Sequence, residues 1–184
     1  MQIAIYGGSF NPPHVAHGMV ASWLKWTGQV DEVWMVPVYH HAFEGRQDKT
    51  LAAYEQRLEL CERMCQDLGS GVARVSDVES RLPAPSYTID TLRHLAQAHP
   101  EHRFRLVVGA DVLPQRDAWR DWSGIERDFS PIIVGRDGYD NPPDVVVFPG
   151  VSSTDIRARL HDGRPFEHLV TARVAAVLRA GWAT

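Results

Sequence analysis

Two histidines, His14 and His17, sit in the segment Gly7-Gly8-Ser9-Phe10-Asn11-Pro12-Pro13-His14-Val15-Ala16-His17, directly after the apolar run Ile3-Ala4-Ile5-Tyr6. A strand that breaks into a glycine turn and then starts a helix is a ready anion site. The turn lets a phosphate approach the backbone, and the helix N-terminus offers free N–H groups and the positive end of its dipole. Spaced three apart, the histidines face the same side of the first helical turn and add side-chain donors. Together with the backbone at Gly8 and Ser9, this set suits a nucleotide triphosphate. The segment is not a Walker loop, because no Gly-Lys-Ser/Thr follows, and it lacks the G-x-G-x-x-G spacing. The plain alternative is a tight turn with two incidental histidines; the agreement of strand, turn and helix start weighs against it.

A second phosphate-binding candidate is Val151-Ser152-Ser153-Thr154-Asp155-Ile156-Arg157. One Ser or Thr caps a helix, but three hydroxyl residues exceed what a cap needs, and Arg157 lies one turn on, able to reach back over the same N-terminus. A third is Val108-Gly109-Ala110-Asp111, where an acid after a strand can cap the next helix or accept from a ribose hydroxyl. Trp119 and Trp122 follow, three apart and so expected on one helix face, with Trp122 in the core and Trp119 free to stack on a flat heteroaromatic ring. The fourth, Pro85-Ser86-Tyr87-Thr88-Ile89-Asp90-Thr91-Leu92, reads by itself only as a capping segment.

These loops need a scaffold that gathers them. The pattern predicts strands near 2–7, 32–38, 72–78, 104–109, 131–135 and 144–148, and helices near 14–27, 51–68, 88–98, 113–127, 153–162 and 168–180. The 51–68 helix places Leu51, Tyr54, Leu58, Cys61 and Cys65 on one stripe. Alternation of this kind implies an α/β, Rossmann-like, doubly wound and mostly parallel sheet, whose ligands sit outside the carboxyl ends of strands where strand order reverses. All four loops follow strands or enter helices from them, so one cleft can gather them. The length suits one domain, 1–184.

At −4 with histidines neutral, the net charge does not recruit nucleic acid or an anionic membrane. No apolar run is long enough to span a bilayer, and the N-terminus reads as a strand rather than a signal segment. The expectation is a cytoplasmic protein in which Cys61 and Cys65 are reduced structural thiols. Trp23 and Trp26 read equally as core or as interface, which leaves a homo-oligomer open.

The ordered set GGSFNPPHVAH, YTIDTL, VGAD followed by Trp119, and VSSTDIR resembles the nicotinate-nucleotide adenylyltransferases of NAD biosynthesis, in the nucleotidyltransferase superfamily with HxGH and ISSTxxR motifs. The resemblance runs from Met1 to about Trp182 in the family's order and spacing. Pantetheine-phosphate adenylyltransferases share the first motif but are shorter and lack YTxxTL. The resemblance implies that Gly8, Ser9, His14 and His17 hold the ATP phosphates from one side and Ser152, Ser153, Thr154 and Arg157 from the other. It implies that Gly109 and Asp111 contact the nucleotide, and that Thr88, Thr91 and Trp119 frame the pyridine nucleotide. The reaction it implies is adenylyl transfer from ATP to nicotinate mononucleotide, giving deamido-NAD and pyrophosphate. Its nucleophile is already an anion, so catalysis reduces to positioning and charge stabilisation by His14, His17 and Arg157. No carboxylate cluster for a metal is evident, so Mg²⁺ arrives on the triphosphate. Other readings of the same residues are transfer to a different phosphate monoester such as phosphopantetheine, use of CTP, or a non-catalytic nucleotide sensor.

Two departures from the family pattern stand out. Ala16 replaces the usual glycine before the second histidine, the mildest replacement for a helix. Where many members carry Pro-Pro-His-Lys, this chain has Pro37-Val38-Tyr39-His40-His41-Ala42-Phe43-Glu44-Gly45-Arg46, so the basic residue is displaced, with Arg46, Lys49, His40 and His41 as substitutes in the 39–50 loop. Fewer fixed positive charges there imply weaker discrimination against the neutral nicotinamide mononucleotide.

Overall fold

The computed structural model describes residues 1–40, 51–85 and 87–182. Six strands form one all-parallel sheet: β1 (Gln2–Gly8), β2 (Glu32–Pro37), β3 (Ala73–Val75), β4 (Arg103–Gly109), β5 (Ile132–Arg136) and β6 (Val147–Phe148). Their order across the sheet is β3-β2-β1-β4-β5-β6. The chain winds outward from β1 to β3, then crosses back and winds the other way from β4. The reversal falls between β1 and β4, which pair from Gln2↔Arg103 to Ile5↔Leu106. A crevice at the carboxyl ends of these two strands is the expected ligand position in such a sheet.

The helices are α1 (Val15–Trp26), α2 (Tyr54–Leu68), α3 (Thr88–Ala98), α4 (Trp122–Phe129), α5 (Ser153–His161) and α6 (Ala172–Arg179). Side chains alternate across β1: Ile3 and Ile5 pack with Trp34, Leu92, Leu106 and Ile125 on one face, and Ala4 with Val20, Leu24, Val33 and Val107 on the other. Both faces are covered, which is why these strands read as continuous apolar runs. A further cluster joins Met35, Leu60, Met64, Ile156, Val174 and Leu178, and so fixes α2, α5 and α6 to the β2 side.

The sheet and five of the helices match the sequence expectation to within a few residues, with informative differences. The expected helix at 113–127 is a 3-10 segment, Ala110–Ala118, followed by α4. Pro114 lies inside the first part, and Asp121 adopts a left-handed conformation (φ 51°) that caps α4 by accepting from the Gly124 N–H. Pro114 disfavours a regular α-helix through the first part, and the left-handed Asp121 starts a separate one. Trp119 and Trp122 are therefore not on one helix face; they meet edge to face across the break, centroids 5.7 Å apart. The edge strands are shorter than expected. The chain leaves β3 for a 3-10 turn at Val78–Arg81, and β6 begins only after Pro142, Pro143 and a left-handed Asp144. The segment 168–180 divides likewise into a 3-10 turn, Glu167–Leu169, and α6. On α2 the buried line is Arg57, Leu60, Cys61 and Met64 rather than the stripe through Leu51, Tyr54, Leu58 and Cys65. An arginine at the centre of a buried face has no counterpart in a hydrophobicity pattern. Trp23 is half-buried against Phe148, whereas Trp26 is 75% exposed. Among the described residues no helix is long and apolar enough to cross a membrane.

Candidate active site

The turn leaving β1 is held by close packing. Phe10 has φ 45°, a left-handed conformation uncommon for a bulky residue, and is 2% exposed. Its ring meets Tyr6 and His17 edge to face and lies where a Cβ on Gly8 would approach to 3.2 Å. A side chain at position 8 would therefore press on the Phe10 ring. The backbone is clamped from below by Arg57, 1% exposed, which donates from Nε to the Ala52 carbonyl (3.0 Å), from Nη1 to Ser9 (2.9 Å) and from Nη2 to Val38 (2.8 Å). One guanidinium thereby ties the first turn, the exit of β2 and the entry to α2. Nothing in the periodicity marks it; the sole sequence signal is a charge inside a buried stripe.

His14 is the N-cap of α1, and its backbone N–H donates to His17 Nδ1 at 3.1 Å. That bond settles the tautomer: Nδ1 of His17 accepts, so the proton of the neutral ring lies on Nε2. The two rings stack, centroids 3.7 Å apart at 22°. Burial is the main cause that lowers the pKa of His14, to about 4, with Arg136 adding to it. Burial, then His14 and Arg136, hold His17 well below its ordinary value. Both histidines are neutral N–H donors near pH 7. His14 Nδ1 is buried with no partner among the described residues.

The loop before α5 closes on this turn. Ser152 caps α5 by accepting from the Thr154 N–H (3.2 Å). Ser153 Oγ donates to the Pro12 carbonyl at 2.8 Å, and Arg157 Nη1 donates to the Asn11 carbonyl at 2.7 Å. Arg157 Nη2 also reaches Thr154 Oγ1 at 3.3 Å. Ile156, fully buried, anchors the helix between them. Segments some 140 residues apart (|i−j| 141 and 146) thus form one rim.

Arg136, the last residue of β5, completes the rim and is absent from the sequence reading. It donates to the Val151 carbonyl (2.9 Å), lies 3.8 Å from Asp111 and stacks over the Tyr139 ring. The signal that could have found it is its position: a cation at the carboxyl end of Ile132-Ile133-Val134-Gly135. Gly109 ends β4, and any Cβ there would collide with the Asp111 carboxylate, so glycine permits that carboxylate to fold back over the strand end. Among the described residues, the rim holds Arg136, Arg157 and the Asp111 carboxylate, Asp155 in the first turn of α5 is paired with Arg159, and the other donors of the rim are N–H and hydroxyl groups.

The remaining expected residues lie toward β2 and α3. Thr88 opens α3 and is half-buried. Thr91 is 2% exposed, with its hydroxyl 3.3 Å from Glu79 Oε1 and 3.4 Å from the Tyr87 carbonyl. Glu79, 8% exposed, also accepts the Tyr39 backbone N–H at 3.0 Å through Oε2. Thr91 therefore connects, through a buried carboxylate, to the start of the loop after β2. Trp119 ends the 110–118 segment half-buried, packed against the same core as Tyr87 and Leu82. In the 39–50 loop, Tyr39 packs edge-on against His40 and Tyr54; His41, Glu44, Arg46 and Lys49 lie outside the described residues.

A cytidylyltransferase-like family model matches residues 5–159, from within β1 to within α5. A relative from Anaeromyxobacter sp. (strain K), named probable nicotinate-nucleotide adenylyltransferase, is 44% identical over 176 residues, covering 94% of this chain and 91% of its own. One of the same name from Myxococcus xanthus is 36% identical over 180 residues, covering 97% and 92%. Among solved structures, Plasmodium falciparum nicotinic acid mononucleotide adenylyltransferase complexed with NaAD superposes with a TM-score of 0.78 over 97% of this chain and 95% of its own, at 20% identity, a likeness of fold. The family model over residues 5–159 and the relatives at up to 44% identity show that this chain belongs to the nicotinate-nucleotide adenylyltransferase family of the cytidylyltransferase-like nucleotidyltransferases.

Proposed function

We propose that the chain, as one nucleotidyltransferase domain over residues 1–184, transfers the adenylyl group of ATP to nicotinate mononucleotide, forming deamido-NAD and pyrophosphate. The observation that carries the reading is the rim in which Ser153 and Arg157 bond to the Pro12 and Asn11 carbonyls of the turn that carries the stacked rings of His14 and His17, beside the reversal between β1 and β4. Family membership supports the substrate pair.

The 5′-phosphate of the mononucleotide attacks the α-phosphorus of ATP in line, a new P–O bond forms, and the bond to the β-phosphate oxygen breaks. No base is required. The protein's task is to align two anions and stabilise charge on the α-phosphoryl and the leaving group. His17 Nε2–H and His14 are the donors that do this without carrying charge. Arg157 and Arg136 balance the departing pyrophosphate. The N–H groups at Gly8 and Ser9 and those of the α5 N-terminus, with Ser152, Ser153 and Thr154, bind phosphate oxygens. Gly109 and Asp111 face the ribose. Thr88 and Trp119 frame the pyridine, while Thr91 acts from behind through Glu79. Among the described residues the rim shows no cluster of carboxylates, which fits Mg²⁺ entering on the triphosphate oxygens as part of the substrate. Free Cys61 and Cys65, both packed against the core, fit a reducing, cytoplasmic setting.

Pyrophosphate release with ATP, Mg²⁺ and nicotinate mononucleotide tests the reading, with nicotinamide mononucleotide offered in parallel. Release with the acid form supports it, and measurable release with the amide supports relaxed selectivity. Release only with phosphopantetheine, or only with CTP and a polyol phosphate, overturns the substrate assignment.

A further inference from the structure

At the opposite end of the sheet from the cleft, the turn joining α3 to β4 carries His99-Pro100-Glu101-His102. The turn is rigid. The His99 N–H donates to the Leu95 carbonyl at 2.9 Å as α3 ends, and the His102 N–H donates back to the His99 carbonyl at 3.0 Å. Pro100 occupies the position where its fixed φ suits such a turn. The two imidazoles lie nearly parallel, 10° apart with centroids at 5.8 Å. Both turn a nitrogen toward one carboxylate oxygen: His99 Nδ1 is 3.7 Å and His102 Nε2 is 3.4 Å from Glu101 Oε1. One ligand atom from each residue lies within 4.8 Å of the others, the single such group among the described residues.

We infer that His99, Glu101 and His102 form a binding site for a divalent cation of the zinc and nickel class. Two imidazoles and a carboxylate are the donor set these ions take, rather than the all-oxygen set of Mg²⁺ or Ca²⁺. Zinc with three protein ligands completes its tetrahedron with water. Bonds of about 2.0–2.1 Å separate tetrahedral donors by roughly 3.4 Å; the His102–Glu101 pair stands at that spacing, the His99–Glu101 pair is 0.3 Å wider, and the two imidazole donors lie within 4.8 Å, so side-chain rotation has to draw the three donors together. His102 turns Nε2 toward Glu101, while its Nδ1 is buried without a partner among the described residues. Trp34 walls the site, its ring 5.3 Å from His99 and 6.2 Å from His102. The site also touches the start of the chain, where the Met1 amino group donates to the Glu101 carbonyl at 3.4 Å. An ion held here would pin the amino ends of β1 and β4, far from the reacting groups.

Trp34 makes the test direct. The expected result is saturable quenching of tryptophan fluorescence by NiCl2 at one equivalent, reversed by ZnCl2, which displaces nickel and does not quench. His99→Ala, with a 40% exposed side chain, and Glu101→Gln, which retains both rings, should each weaken nickel binding by at least about tenfold. Trp34→Phe should lose the quenching while calorimetry still finds one nickel ion bound. Absence of saturable binding, or equal binding by the His99→Ala and Glu101→Gln variants, overturns the inference. Because these residues lie outside the cleft, pyrophosphate release in Mg²⁺ by His99→Ala should match the parent. Failure of the metal site is thus distinguishable from failure of the proposed reaction.

Discussion

His17→Asn and His17→Gln should fail in opposite ways. The ring of His17 does two things with two nitrogens: Nδ1 accepts the His14 N–H at 3.1 Å, and Nε2–H is left for the phosphates. An asparagine carbonyl can stand near Nδ1 and keep the cap, but the side chain stops short of Nε2. A glutamine amide reaches the Nε2 position but offers no acceptor to His14. Loss of the cap bond costs about 1 kcal/mol, or a Tm drop of roughly 2–4 °C for a chain of this size. Loss of a preorganised donor to transition-state charge costs on the order of 10²–10³ in kcat. Thus Asn should keep Tm near the parent and lose kcat by about 10²–10³, whereas Gln should lose Tm and retain the larger share of kcat. His17→Ala should show both losses. Thermal unfolding followed by circular dichroism and steady-state pyrophosphate release read the two axes separately. An Asn variant with near-parent kcat, or a Gln variant as inactive as Ala, would refute the division of labour.

Three further outcomes follow from the same bonds. His14 should remain neutral in NMR titrations through pH 5.5, and Arg136→Gln should move its titration upward, because Arg136 contributes to lowering it; an unshifted midpoint near 6.5 in the parent contradicts this. Since the folded state disfavours the imidazolium, His14 contributes stability that is complete above pH 6.5 and lost as pH falls toward about 4, about 3 kcal/mol in all. Denaturant unfolding across pH 4–7 of parent and His14→Gln should show the parent's slope reduced in the variant. Arg57→Met should lower Tm by about 6 °C, because three carbonyls, one in a buried bond and two in part-buried ones, lose their donor at roughly 1 kcal/mol each; an unchanged Tm would dismiss the clamp. Glu79→Ala should raise KM for the mononucleotide several-fold while KM for ATP stays put, and Glu79→Gln, which keeps an acceptor for Tyr39, should restore most of it; equal effects on both substrates would make Glu79 merely structural.

The sequence made the sheet readable because buried parallel strands are short apolar runs, and it made the phosphate rim readable because glycine turns, caps and histidine spacing are local. His14, His17, Ser152, Ser153 and Arg157 are each identified by neighbours within a few positions. Arg57, Arg136 and Glu79 are harder to read for the opposite reason. Their partners are 19 to 48 positions away for Arg57 at Val38 and Ser9, 40 for Glu79 at Tyr39, and 25 for Arg136 at Asp111, and no period encodes that. The break at Asp121 was missed because its cue is one left-handed residue inside an otherwise helical pattern. Thr91 shows the limit from the other side: the motif marks it, yet its hydroxyl is spent on Glu79 inside the core.

If the β1–α1 turn and the α5 N-terminus hold one triphosphate between them, a crystal structure of the protein with α,β-methylene-ATP and Mg²⁺ should show phosphate oxygens within hydrogen-bond distance of His17 Nε2 and of the Arg157 guanidinium, with the ribose at Asp111. A triphosphate seated away from both histidines, for instance along the groove between residues 110–117 and 140–143, would contradict it.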